Sequence, residues 1–311
     1  MRIWRSLDAV PADSGRSVVS VGNFDGVHRG HRVVLARARE IADRDGHRLV
    51  AVTFDPHPMA VLRPDHAPAV LIGLEARAEL LAEAGVDEVL ALPFSRQTAA
   101  WSPLEFVDRV LVEALLASTV VVGANFRFGS RAAGDVALLH EVGRGRGFAV
   151  EGIALDGGPQ VWSSTYVRTC LREGDVAGAA EALGRPFAVR GVVVEGDRRG
   201  RELGYPTANV PLAAGTAAPA DGVYAGWLRH CGSGERWPAA ISVGTNPTFA
   251  GERDRRAEAH VLDRDDLELY GVEVEVAFVE RLRGMTAFED VEALLETMAD
   301  DVRRTRVALG V

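Results

Sequence analysis

Cysteine is nearly missing from this sequence: Cys170 and Cys231 stand far apart, in no C-x-x-C pair. That excludes a disulfide framework and makes a reducing compartment the simplest home. Long apolar runs are missing as well. Nothing reaches the ~18 residues a membrane span needs, and the opening MRIWRSLDAVPADSG has no apolar stretch of the kind a secretory signal carries. A basic excess is also lacking. Lysine and arginine total 35 against 44 aspartates and glutamates, a net charge of −9, which excludes a general field for nucleic acid. Any anion site has to be built from a few positioned groups. No internal repeat is visible. What remains is ordinary globular composition over 311 residues, 47% hydrophobic and 25% charged, enough for two domains. The expectation is a soluble, cytoplasmic chain with no nucleic-acid or membrane partner and with self-association left open.

The first half alternates two periods. Strand-like runs at 18–22, 48–54, 87–94, 118–123 and 148–155 are separated by helical patterns at 31–45, 74–85, 103–117 and 134–145. Strands alternating with helices predict βαβ units and a parallel sheet, and the Val-rich, nearly continuous strands suit a sheet covered on both faces. Two short helices follow at 164–183. The period then becomes two, with strands at 187–196, 222–229, 238–244, 256–263 and 272–282 that read as an antiparallel barrel. A terminal helix over 286–306 presents Phe288, Val291, Leu294, Leu295, Met298 and Val302 on one face, for packing on that barrel. The expected domains are 1–183 and 184–311.

Chemistry gathers in a few words. In GNFDGVHRGH, at 22–31, a strand stops at Gly22 and a helix opens directly after two histidines, His28 and His31. A helix N-terminus offers unpaired N–H groups and partial positive charge, a ready anion site after a parallel strand. Histidines at i and i+3 face one side, and Gly30 lets the backbone approach a ligand. The alternatives are two surface histidines at a cap, or half a metal site. In SSTYVR, Ser164 and Thr165 precede a helix and Arg168 lies one turn in, suited to phosphate or, for the hydroxyls, to a plain N-cap. In TFDPHP, prolines bracket His57 at a strand's C-terminal edge, where open α/β sheets bind ligands. In PTAN, Thr207 and Asn209 alternate by two and share a face in extended chain. Their hard oxygens suit Mg²⁺, and a turn leading into an ordinary strand explains them equally well.

GNFDGVHRGH, TFDPHP, VVVGANFRFG and SSTYVR, in this order and spacing, resemble the adenylyltransferase half of the bifunctional bacterial riboflavin kinase/FAD synthetases over nearly all of 17–183. GDRRGRELGYPTANV, DGVYAGW, SVGTNPTF, RAEAHVLD and VEVEVAFVERLR resemble their riboflavin kinase half over 185–305. The resemblance implies a Rossmann-like nucleotidylyltransferase domain with a parallel sheet, followed by an antiparallel β-barrel kinase domain with a terminal helix. It implies that riboflavin is phosphorylated by ATP to FMN, and FMN adenylylated by a second ATP to FAD and pyrophosphate. Flavins are then substrate and product, ATP the co-substrate and Mg²⁺ the cofactor. Carried over by position, His28 and His31 hold ATP phosphates, with Gly22, Asp25 and Gly30 shaping the turn and Ser164, Thr165 and Arg168 assisting. His57, Pro58, Asn125, Phe126 and Phe128 form the flavin side. Gly200 and Gly204 cover the kinase's ATP phosphates, Thr207 and Asn209 bind Mg²⁺, and Glu258 is the general base. The rival readings are a nucleotidylyltransferase for another acceptor and a flavin storage or sensor protein.

Overall fold

The computed structural model describes residues 1–154, 162–196, 203–244, 255–288 and 290–311. Its contacts divide the chain into two compact units, Met1–Ser164 and Thr165–Val311.

The first unit is built on a six-stranded sheet: β1 (Arg2–Trp4), β2 (Ser17–Val21), β3 (Arg48–Asp55), β4 (Glu88–Pro93), β5 (Ala117–Gly123) and β8 (Ala149–Ile153). The short β6 (Arg127–Phe128) and β7 (Gly134–Asp135) pair apart from it. The order is β1-β4-β3-β2-β5-β8, and every pairing is parallel. The expected parallel sheet is therefore present, with β1 added at its edge. Every β2 residue is buried, because the strand is covered twice. Val18 faces Leu35, Ala38 and Ile41 of α1 (Arg29–Asp45). Val19 and Val21 face the opposite layer, with Phe106, Val110 and Leu111. The short helices α2 (Pro58–Leu62), α4 (Arg96–Ala99) and α5 (Pro103–Phe106) connect the strands, and α3 (Leu74–Glu83) joins α1's layer. The helix predicted over 103–117 is a capped α-turn, α5, that continues as a π-helix, Val107–Ala114. Its apolar side still faces the sheet, so the sequence period survives the change of winding. Helix α6 (Val136–Arg146) precedes β8.

The order reverses at β2, with β3 on one side and β5 on the other. Open α/β sheets bind ligands outside the strand C-termini at such a switch point. The three singled-out segments, 22–31, 53–58 and 120–129, leave the ends of these three neighbouring strands.

The second unit begins with α7 (Ser164–Glu173), whose first residue closes the first unit, and α8 (Val176–Leu183). Then come β9 (Phe187–Val192), β10 (Ala208–Pro211), β11 (Gly222–His230), β12 (Arg236–Gly244), β13 (Arg256–Val261) and β14 (Glu273–Arg283). Their order is β10-β13-β12-β11-β14-β9, all antiparallel. A bridge between Val194 and Asn209 brings the two ends together, so the barrel nearly closes. Tyr224, Phe187 and Phe278 fill its interior. The strand β10 escapes a pattern search because it is four residues long and ends in proline.

The terminal helix is α9 (Val291–Leu309). Its expected apolar stripe is only half-buried, with Val291 57% exposed. The buried side chains are polar, Asp301 and Thr305. Asp301 takes a bidentate pair from Arg283, with Nη2 at 2.7 Å and Nε at 3.0 Å, and Arg283 also lies over the Phe288 ring. Removing one partner of a buried pair strands the other charge. Asp301→Ala is therefore expected to cost about 3 kcal/mol and, at ~3 °C per kcal/mol for a domain of this size, to lower the unit's melting temperature by roughly 10 °C. A melt followed by circular dichroism checks this; an unchanged midpoint would show that the apolar contacts hold the helix.

Candidate active sites

The turn after β2 is contorted. Gly22 closes the strand by donating its N–H to the Val52 carbonyl. Phe24, Gly26 and Val27 then all adopt positive φ, 47°, 85° and 42°. A hairpin of this kind reverses the chain within a few residues and aims α1 back at the sheet. Asp25, 1% exposed, uses its carboxylate to accept the backbone N–H groups of Leu71 (3.0 Å) and Ile72 (3.2 Å). Ser164 donates its hydroxyl to the Asp25 carbonyl at 2.8 Å. These bonds fix the turn from two sides.

His28 is the N-cap of α1, its Nδ1 accepting the His31 N–H at 3.4 Å. That leaves the His28 proton on Nε2. The two rings stack, 3.6 Å between centroids and 22° between planes, and Phe24 meets His31 edge-on. The spacing has thus brought both imidazoles together at a helix N-terminus. A Cβ on Gly30 would stand 3.1 Å from the Trp162 carbonyl and 3.2 Å from the His28 ring, a tight fit that glycine avoids. The Nδ1 of His31 is buried with no hydrogen-bond partner among the described residues. Burial first, then the neighbouring His28 and Arg77, hold the His31 pKa well below its usual value. The ring is neutral at pH 7, ready to donate or accept one hydrogen bond.

The sign of the linkage follows. Unfolded His31 takes a proton near 6.5; folded His31 does so only well below that. Between the two values the unfolded chain holds more protons, so this contribution is complete above about pH 6.5 and is lost as pH falls. Stability is expected to decline by up to ~1.4 kcal/mol per pH unit for this proton. Urea melts from pH 7.5 to 5.5 check it: His31→Ala should flatten the slope by one proton, and an unchanged slope refutes it.

The neighbouring segments converge on this turn unequally. His57 caps α2, its Nδ1 accepting the Met59 N–H at 3.1 Å, and its Nε2 lies 3.3 Å from the Asn23 side-chain nitrogen. Pro58 is the first residue of α2. Asn125 is exposed and Phe126 half-buried. Phe128, 6% exposed, belongs to the core and stacks on Phe126, with Gly134 leaving room for its ring. Thr165 is exposed and Arg168 half-buried on α7, in the second unit. The pattern search passed over Arg77 and Thr53, both buried at the foot of the turn. Thr53 opens the TFDPHP segment, where attention fell on His57 and its prolines, and Arg77 lies in none of the singled-out segments.

In the barrel, Thr207 and Asn209 meet as the alternation requires: the Asn209 amide lies 3.2 Å from the Thr207 carbonyl and 3.4 Å from its hydroxyl. They line a cleft with Pro206, Arg264, Asp265 and Tyr270. A Cβ on Gly196 would fall 2.5 Å from the Asn209 amide, so glycine leaves this cradle open. Glu258 stands directly opposite Asn209 in the β10–β13 register, and opposite Ser242 in β12. Paired antiparallel residues share a face, so a carboxylate, an amide and a hydroxyl lie along one side of the barrel wall. His260, one step along that face, donates its Nδ1 proton to the Pro206 carbonyl at 2.9 Å and packs edge-on against Tyr205. Gly204, at φ 84°, turns the chain into this segment; Gly200 lies outside the described residues. Among the described residues no three His, Cys, Asp or Glu side chains form a metal cage. The hard oxygens of Thr207 and Asn209 fit a cation that keeps most of its coordination for phosphate and water.

Residues 10–164 match a family model described as FAD synthetase, and residues 183–309 one described as riboflavin kinase. A bifunctional riboflavin kinase/FMN adenylyltransferase of Escherichia coli K12 is 38% identical over 94% of this chain and 93% of its own. The Pseudomonas fluorescens protein of that name is 38% identical over 98% and 97%, and that of Bacillus subtilis 32% identical over 94% and 92%. A Streptococcus pneumoniae crystal structure, described as a macrolide-efflux protein, is 32% identical, covers 98% of each chain and superposes with a TM-score of 0.87. Among the described residues of the present chain no helix is long and apolar enough to cross a membrane.

Proposed function

Because the chain belongs to the bifunctional riboflavin kinase/FMN adenylyltransferases, we propose that its two reactions divide between its two units, with the residues described above carrying each. The chain is a transferase that makes FMN from riboflavin and ATP, then FAD and pyrophosphate from FMN and a second ATP. The observation that carries the division is the order of the two family matches along one chain, 10–164 and then 183–309.

In the first unit the FMN phosphate is itself the nucleophile. It attacks the α-phosphorus of ATP, and the bond to pyrophosphate breaks. No protein nucleophile is needed; the work is to align two anions and to meet the charge that grows on the leaving group. The α1 N-terminus, His28 Nε2 and neutral His31 supply donors for that charge. Gly22, Asp25, Gly30 and Ser164 set their geometry, and His57, Pro58, Asn125 and Phe126 form the flavin side. In the second unit the Glu258 carboxylate takes the proton of the riboflavin 5′-hydroxyl as the hydroxyl oxygen attacks the γ-phosphorus of ATP, and the bond to the bridging oxygen breaks to release ADP. Thr207 and Asn209 would hold Mg²⁺, which when bound offsets phosphate charge. We place the protein in the cytoplasm, on the two free cysteines of the structure and the lack of a membrane-spanning helix among the described residues.

The test is incubation of the full chain, and of a fragment beginning at Thr165, with riboflavin, ATP and Mg²⁺, followed by chromatography. The full chain is expected to give FMN and then FAD, the fragment FMN alone. FAD from the fragment would overturn the division. Unmodified riboflavin from the full chain would favour a storage protein.

A further inference from the structure

Arg77 on α3 is 5% exposed, an unusual place for a guanidinium. Its Nη1 donates to the Thr53 hydroxyl at 3.0 Å and to the Phe54 carbonyl at 3.4 Å, and its Nη2 to the Ile72 carbonyl at 3.4 Å. A guanidinium only donates, so Thr53 accepts from Arg77 and passes its own proton outward, to the Asn23 carbonyl at 3.0 Å. Thr53 is fully buried, and the direction of the relay is fixed: Arg77 to Thr53 to Asn23. Asp25 and Asp55 supply the negative charge that offsets the buried cation, and Asp25 holds Leu71 and Ile72 from the other side. One guanidinium therefore touches three backbones: the turn at 23–25 through Thr53, the end of β3 just before His57, and the segment leading into α3. Burying a charge among weak carbonyl acceptors is costly, and a leucine would fill the space for the fold alone.

We propose that Arg77 is a positioning residue for adenylyl transfer, which through the Thr53 relay holds the phosphate-side turn and the flavin-side loop in one fixed register. The inference rests on the site reading given above. A residue that touches one substrate affects one binding constant. A residue that sets the spacing of two loops affects both. Transfer requires the FMN phosphate and the ATP α-phosphorus to meet in line, and small displacements are expensive there.

The experiment uses the full chain with Thr53→Val, Arg77→Lys and the double variant. Thr53→Val keeps the shape and removes the relay oxygen; Arg77→Lys keeps the charge and removes the planar fork. FAD formation from FMN and ATP is measured over both substrate concentrations, beside FMN formation from riboflavin and a thermal melt. In each single variant KM for ATP and KM for FMN are expected to rise together, by about tenfold, the scale of a lost buried hydrogen bond, with FMN formation unchanged. The double variant should be no worse than the poorer single one, because both changes cut one relay. Wild-type KM values in both single variants would overturn the proposal. So would a fall in kcat alone with a lowered melting temperature, the mark of a merely structural arginine. His31→Ala, run in parallel, separates the two levels. If it abolishes FAD formation while the relay variants behave as wild type, only the relay is refuted. If it too is silent, the site reading falls and the relay with it.

Discussion

His31→Ala is expected to remove most FAD formation and leave FMN formation near the wild-type rate. His31 closes the stack with His28 at the start of α1, 3.6 Å between ring centroids, and its Nδ1 is enclosed without a hydrogen-bond partner among the described residues. Its lowered pKa keeps it neutral, so a phosphate bound here would meet a dipole already held by the turn, with no reorganisation needed as charge moves. Removing one such donor costs on the order of 10²–10³ in rate. Loss of the ring also loosens the cap that His28 makes with the His31 N–H, although alanine keeps that N–H in place. The measurement is initial rates of both steps on one preparation, with a melt as control. Equal losses in both steps at unchanged stability would make the histidine structural or the sites interdependent, and would refute the assignment.

Glu258→Gln is expected to give the opposite pattern. Glutamine keeps the length and the hydrogen bonding of the side chain and discards the base. Loss of a general base typically costs on the order of 10²–10⁴. Glu258 is half-buried on β13, opposite Asn209 and Ser242, on the outer face of a wall whose interior is filled from the other side by Ala257 and Ala259. Glutamine keeps the size and shape of the side chain, and a change of stability within about 0.5 kcal/mol is expected. Kinase turnover at saturating riboflavin and ATP-Mg²⁺ should collapse while supplied FMN is still converted to FAD. Near-normal turnover would return Glu258 to the status of a solvated strand glutamate. Loss of both steps with a lowered melting temperature would assign it to the fold.

What could be read from sequence depended on whether the cause was local. The Val-rich runs of β2, β3 and β5 announce buried parallel strands because each is covered on both faces, and the histidines at 28 and 31 announce a shared face because i and i+3 are neighbours on a helix. Thr207 and Asn209 are two apart on an extended chain and meet for the same reason. The failures have a different origin. Strand β1 is three residues at a sheet edge, too short to carry a period. The helix α9 packs on the barrel as its stripe predicts, but its most buried side-chain pairing, Asp301 with Arg283, 18 residues earlier, lies outside that stripe. A count of apolar positions has no means of registering an ion pair. Arg77 lies in no motif and 24 residues from Thr53, the first residue of TFDPHP, and only the packing of α3 against β3 makes them neighbours. The π-helical turns after α5 preserve the apolar side of their segment, so the period alone reads them as ordinary helix.

The pairing of Asn209 with Glu258 limits how this chain can vary in length. Side chains on a strand alternate faces, so a one-residue slip between β10 and β13 would turn one of the pair into the barrel and leave the other outside. Insertions in the connections between strands leave that pairing untouched. An insertion or deletion of a single residue between Thr207 and Pro211, or between Arg256 and His260, would separate amide from carboxylate even if the barrel still formed. Length variation among descendants of this sequence should therefore collect in the connections and stop abruptly at those two short stretches, each only a few residues long, where the proposed site depends on the counting of residues.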